Sequence, residues 1–256
     1  MIRKRTLNDG IATLVCGLLT LLLAAPAAGA DQTVKESGPA SPTGAVMIEN
    51  VSGSITVIGW DKDEVSVSGT LTGDIEKMEF ETGKKKSRIK VVYPKNKKHL
   101  EGEADLVINV PRASRLEVEC ISASIEVSGV TGLVEVSSIS GDVVVTGECE
   151  KIEAESISGN VSLEGGAPRI EAASISGQVK ARGKVSDVNA QTVSGGIDLS
   201  FERFLGLNVE SVSGDAAVQG DLAGDGTFTL DLHSGDGLVL ESVEFTESER
   251  RHEPSA

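Results

Sequence analysis

The stretch Ser156-Ile157-Ser158-Gly159-Asn160-Val161 decides the reading of this chain, because it keeps returning. The serine before the glycine recurs at Ser140, Ser158, Ser176 and Ser194, each 18 residues after the last. Ser122 precedes them by the same 18, and Ser213 and Ser234 follow at 19 and 21. A fixed period of this size is the mark of stacked structural repeats. With Leu116 as position 1, positions 1 and 3 are apolar, as in Val134/Val136 and Ile152/Ala154. Position 6 is aliphatic (Ile121, Ile139, Ile157, Ile175, Val193, Val212), and so are most residues at positions 10 and 12 (Val143/Val145, Ile197/Leu199). Spacing of two within each run marks strands, and Ser-Gly between the runs marks a sharp bend. Gly129, Gly147, Gly165 and Gly183 recur at position 14 and predict a second bend.

Each coil is therefore expected to run strand, bend, strand, bend, loop, with about five apolar side chains inside, those of position 6 among them. The expected fold is all-β, a parallel β-solenoid or β-helix of about 18 residues per coil. A left-handed hexapeptide helix also has 18-residue coils, but it needs an aliphatic at position 18, where Leu133, Lys151, Arg169 and Asp187 stand.

Working outward, residues 45–59 repeat the pattern ahead of the main series, which runs over 116–241. Residues 60–115 break the period. Their alternating runs, Val65–Ser68, Met78–Glu81, Ile89–Tyr93 and Asp105–Val110, predict a small antiparallel sheet capping the first coil. An end coil without a cover offers unpaired backbone to any passing strand. Residues 31–44, with Gly38-Pro39 and Ser41-Pro42, read as a flexible linker, and 242–256 as a charged tail. At the N-terminus, Arg3-Lys4-Arg5, the apolar run Ile11–Leu23 and Ala28-Gly29-Ala30 predict a signal peptide over 1–30. Its removal leaves no transmembrane segment and places the chain in the periplasm or outside the cell, secreted or at the surface.

Charge is distributed unevenly. Residues 116–256 hold 8 basic and 25 acidic side chains, whereas 60–115 hold 12 basic and 10 acidic. An acidic body repels nucleic acid, so none is expected as a partner. Glu117, Glu135, Glu153 and Glu171 share position 2 and predict an acidic outer row, a candidate face for divalent cations or a basic partner. Lys84, Lys85, Lys86, Arg88, Lys90, Lys95, Lys97 and Lys98 form a basic cluster, a candidate contact for anionic glycan or lipid headgroups. A third reading docks the basic insert of one molecule on the acidic face of another.

The serines of position 7 read as turn residues bonding local backbone, since a residue present in every coil serves architecture. Asp231, His233 and Ser234 do not make a triad, because strand neighbours point to opposite faces. No catalytic residue, cofactor or metal site is expected. Cys120 and Cys149 occupy different positions of the repeat and read as small buried residues; export also permits a disulfide.

The run Val46–Val57 leads into Gly59-Trp60-Asp61-Lys62-Asp63-Glu64-Val65. Ile108-Asn109-Val110-Pro111 then precedes the serial Ile-Ser-Gly and Val-Ser-Gly copies. Over about residues 45–241 this combination resembles a bacterial family of exported β-strand-repeat proteins labelled "putative adhesin", a domain of unknown function. The resemblance implies a β-solenoid outside the cytoplasm and supplies no catalytic residue. The function expected is a non-enzymatic, adhesin-like interaction. The alternatives are an envelope protein that self-associates end to end and, behind it, a polysaccharide-acting β-helix enzyme.

Overall fold

The computed structural model describes residues 31–95, 101–234 and 238–241. The expected signal peptide, Lys97, Lys98 and the charged tail lie outside them. Among the described residues the protein is all-β, with fifteen strands in one continuous sheet wound into a solenoid. The strands are β1 (Gln32–Pro39), β2 (Ala45–Trp60), β3 (Glu64–Leu71), β4 (Lys77–Glu81) and β5 (Lys86–Val92). They continue with β6 (Ala104–Pro111), β7 (Arg115–Ser128), β8 (Leu133–Ser138), β9 (Val143–Glu148) and β10 (Lys151–Ser156). The series ends with β11 (Val161–Ser174), β12 (Val179–Thr192), β13 (Ile197–Ser211), β14 (Ala216–Leu232) and β15 (Leu238–Glu241).

Every solenoid contact is parallel, and the register holds from β7 to β12, with bulges interrupting it where β12 meets β13 and β13 meets β14. Val134 lies on Leu116, Ile152 on Val134, Ile170 on Ile152 and Val188 on Ile170, each 18 residues on. Leu207 and Phe228 extend the row. The separated first copy joins the same stack, with β2 pairing β7 from Ala45↔Arg115 to Ile58↔Ser128.

The phase of burial follows from the pleat. Side chains alternate across a strand, so positions 1, 3 and 5 point inward and 2, 4 and 6 outward. Position 5 is the buried row Cys120, Ser138, Ser156, Ser174, Thr192 and Ser211. Position 6, expected in the core, is exposed, and this corrects the sequence reading. At the bend between positions 6 and 7 the alternation slips by one residue. Positions 8, 10 and 12 then point inward, as Ala123, Ile125 and Val127 do.

The hydroxyl that closes this bend also belongs to position 5, not to the exposed serines of position 7. Gly159 N–H donates to Ser156 Oγ at 2.9 Å, and Ser156 Oγ donates to Gly141 O of the preceding coil at 3.1 Å. Gly177 and Ser174 repeat the arrangement. One small inward side chain thus ties its own turn and the turn before it. The serines of position 7 continue the ladder through their backbone, as in Ser158 N–H donating to Ile139 O at 2.9 Å.

The expected linker is also corrected. Residues 32–39 form β1, antiparallel to β3 from Gln32↔Leu71 to Pro39↔Glu64, with Val34 buried. Its Gly-Pro comes at the strand's end, on an outer edge where a missing N–H breaks no ladder. Within the insert, β5 and β6 lie parallel to the two halves of β2 and add one further level to the stack. Antiparallel strands then close it, β4 on β5 and β3 with β1 on β6. The Gly-Trp-Asp element is the turn from β2 into β3. Trp60 Nε1 donates to Glu64 O at 2.8 Å, Lys62 Nζ stands 4.4 Å from the Trp60 ring centroid, and Arg112 pairs with Asp61 at 3.0 Å.

Cys120 and Cys149 are free and buried, with no disulfide between them. Burial pushes their thiols up to about 12 and about 11.

Candidate functional site

The outer face of the first strand of each coil carries three rows of side chains along the solenoid axis. Position 2 is the expected acidic row. Glu117, Glu135, Glu153 and Glu171 stand in register, followed by Asn189 and Asn208. Basic neighbours partly neutralise it. Lys151 pairs with Glu153 and, at 3.1 Å, with Glu171; Arg169 reaches Glu171 at 2.9 Å and Arg115 reaches Glu135 at 3.6 Å. The hydrogen bond from Lys151 is the main cause that holds the Glu171 carboxyl below its ordinary range.

Position 4 runs Glu119, Ser137, Glu155, Ala173, Gln191, Glu210 and Asp231. Position 6 is the exposed aliphatic ladder. Ile121, Ile139, Ile157, Ile175, Val193 and Val212 are each 44–49% exposed. Backbone bonds hold its register, with Ile157 N–H donating to Ser138 O at 3.1 Å and Ile175 N–H to Ser156 O at 3.2 Å. Between the ladder and position 4 runs a shallow groove of 510 Å³, reaching from Cys120 to His233. A second hollow of 360 Å³ continues it past Ile121 to Val51 and Lys90 at the capped end.

The face as a whole is amphipathic, acidic along positions 2 and 4 and apolar along position 6. Eight carboxylates, the four of position 2 with Glu119, Glu155, Glu210 and Asp231, stand against the three bases Arg115, Lys151 and Arg169. Among the described residues no three His, Cys, Asp or Glu side chains group as a metal ion needs. The groove's far end holds His233, whose Nδ1 lies 3.4 Å from Asp231 Oδ1, both exposed. Ser234 Oγ donates to Val212 O at 2.9 Å, so these three side chains form no proton relay.

Two members of the basic cluster, Arg88 and Lys90, lie on the same face at the capped end. Arg88 stacks on Met47, which stacks on Glu117, and Lys90 stacks on Glu49, which stacks on Glu119. Arg88 and Lys90 both grip Glu49, through Nε at 3.0 Å and Nζ at 2.5 Å. Burial works to raise the Glu49 carboxyl, but these two cations outweigh it and hold the group below its ordinary range. Lys84 and Lys85 stand exposed in the turn between β4 and β5, Lys86 opens β5, and Lys95 is exposed beyond it. Two of the eight candidate cations are thus committed to the fold.

A carboxylate depressed in the folded state stabilises above its unfolded pKa and loses that contribution as pH falls through the folded value. Glu49 therefore stabilises the cap above about pH 4.5 and less below it. Glu49→Gln is expected to lower the urea midpoint at pH 7 by leaving Arg88 and Lys90 unneutralised, and to shrink the drop between pH 5 and pH 3. Equal acid sensitivity in both proteins would contradict this role.

Sequence reasoning found the acidic row and missed the ladder beside it. The signal was present in the inward serines of position 5, which force position 6 outward.

Among the described residues no helix is long and apolar enough to cross a membrane. No curated protein matches the chain. Solved structures share its fold. One is a "putative adhesin" from Bacteroides fragilis, 16% identical with a TM-score of 0.53, over 82% of this chain and 96% of its own. Another is a "putative adhesin" from Parabacteroides distasonis, 14% identical with a TM-score of 0.51, over 84% and 98%. A third, from the same organism, is named a "putative lipid binding protein"; it is 13% identical with a TM-score of 0.55, over 84% and 98%. The model of the Toastrack DUF4097 family matches residues 45–255, and the chain belongs to that family.

Proposed function

We propose that this is a non-enzymatic interaction protein of the cell envelope or exterior, adhesin-like in mode, which holds its partner on the outer face of the solenoid. The observation that carries this reading is the ladder: six aliphatic side chains in register, each nearly half exposed, along one line. Bend chemistry does not need them, because the inward serine and the glycine make the bend. Contiguous exposed apolar surface rimmed by polar residues marks an interaction site. The names carried by proteins of the same fold, adhesin and lipid binding, support a binding role.

The test is an array of glycans, lipids and envelope proteins probed at low and high salt with the protein and with Ile139→Ser/Ile157→Ser/Ile175→Ser. Retention of a ligand by the protein and its loss in the triple variant is the expected result. Equal retention by both contradicts the reading. Loss confined to Lys84→Ser/Lys85→Ser/Lys86→Ser also contradicts it, and moves the contact to the β4–β5 turn.

A further inference from the structure

We propose that the occupant of the groove is an amphipathic α-helix of a protein partner, with lysine or arginine along one flank of its aliphatic stripe. This rests on the ladder being the contact surface. Three features of the face select a basic helix.

The first is pitch. The ladder repeats at the strand spacing of about 4.8 Å. A helix laid along the axis presents one side chain per turn at about 5.4 Å, a mismatch of about 0.6 Å per step. An extended strand presents every second side chain at about 6.8 Å, a mismatch of about 2 Å per step. Over the five steps from Ile121 to Val212 the helix drifts by about 3 Å, half a tooth, and stays engaged. The strand drifts by about 10 Å and loses register twice. The same five steps span about 24 Å, which a helix of about 16 residues covers.

The second is width. Positions 2 and 6 are four residues apart, about 13 Å across the sheet. A helix with its side chains is about 10–12 Å wide. One helix with its apolar stripe on the ladder thus reaches about 5–6 Å to the side, which puts one flank over position 4, with position 2 beyond its edge.

The third is charge. That flank meets Glu155 and Glu210, neither of which makes an ion pair with another described residue. With eight carboxylates against three bases, the face attracts cations and repels an anionic membrane. Laid face to face, the acidic rows of two copies repel each other, since Arg88 and Lys90 together carry only one charge in excess of Glu49. Helix-in-groove recognition of this kind takes its specificity from anchors at i, i+3/i+4 and i+7.

The experiment uses fluorescein-labelled 18-residue peptides: a Leu/Lys sequence with helical period, a permutation that destroys the stripe, and a Leu/Glu counterpart. Anisotropy measures binding and circular dichroism the bound conformation. The Leu/Lys peptide is expected to bind and become helical, with the other two at least tenfold weaker. Ile139→Ser/Ile157→Ser/Ile175→Ser is expected to weaken it at least tenfold, and Glu155→Gln/Glu210→Gln several-fold at low salt. All these positions lie on the outer face, so the variants should keep the fold, which their melting checks. Equal binding of the Leu/Glu peptide, an extended bound peptide, or indifference to the serine variant would each overturn the proposal. If no peptide binds while the serine variant abolishes retention of a glycan or of lipid vesicles, or dissolves a dimer in sedimentation, the helix is wrong and the contact surface stands. If nothing in either experiment depends on the ladder, both fall.

Discussion

Gly183→Ala is expected to destabilise the protein by about 2–6 kcal/mol, read as a lower urea midpoint with an unchanged slope. Gly183 has φ of +134°, where a side chain is strained, and a Cβ there would stand 1.4 Å from Gly165 O. That oxygen is backbone in the neighbouring coil, so it cannot swing aside. Conformational strain costs about 1–3 kcal/mol, and forcing the coils apart adds about 1–3 kcal/mol. Gly129 isolates the two effects. Its φ is +67°, yet an added Cβ meets nothing nearer than Gly59 O at 3.3 Å. Gly129→Ala should therefore cost only the strain, and equal losses for both variants would show that stacking closeness plays no part.

Leu163→Ala and Ile157→Ala should differ sharply in stability. Leu163, 2% exposed at position 12, packs inside its coil, and its truncation is expected to cost about 2–5 kcal/mol. Ile157 is 44% exposed, and its truncation should stay within about 0.5 kcal/mol. Both are aliphatic residues of the repeat, so composition does not separate them. Comparable losses in thermal or urea unfolding would put position 6 inside the solenoid and remove the basis of the proposed function.

That contrast also shows how far the sequence could be read. The 18-residue period, the two strands per coil and the register of Glu117, Glu135, Glu153 and Glu171 were legible, because repetition and alternation are local patterns. The exposure of position 6 is not legible from hydrophobicity, because an apolar side chain need not be a buried one. The pleat, counted from Leu116 through Val118, puts residue 120 inside and residue 121 outside. The small buried hydroxyls at 138, 156 and 174 are illegible for the same reason, being polar in sequence and satisfied by the glycine of their own turn and a carbonyl of the coil before. Strand β1 was illegible because its partner, β3, lies more than two dozen residues away and its own sequence ends in Gly-Pro. The meeting of Arg88 and Lys90 with the acidic rows on one face depends on β5 stacking parallel on β2, a long-range pairing that no local pattern announces.

The functional account depends on the ladder standing in solvent, and thiol labelling reads this directly. The chain supplies its own reference, because Cys120 occupies the inward position 5 and Cys149 is also buried, with thiols raised to about 12 and about 11. Maleimide is added at pH 7.5 to the native protein carrying Ile157→Cys, with Cys16 replaced by serine. One thiol, at residue 157, is expected to react at the rate of a free surface cysteine, while Cys120 and Cys149 stay unlabelled until urea unfolds the coils. Protection of residue 157 alongside rapid labelling of Cys120 would reverse the phase of the strand and contradict the account.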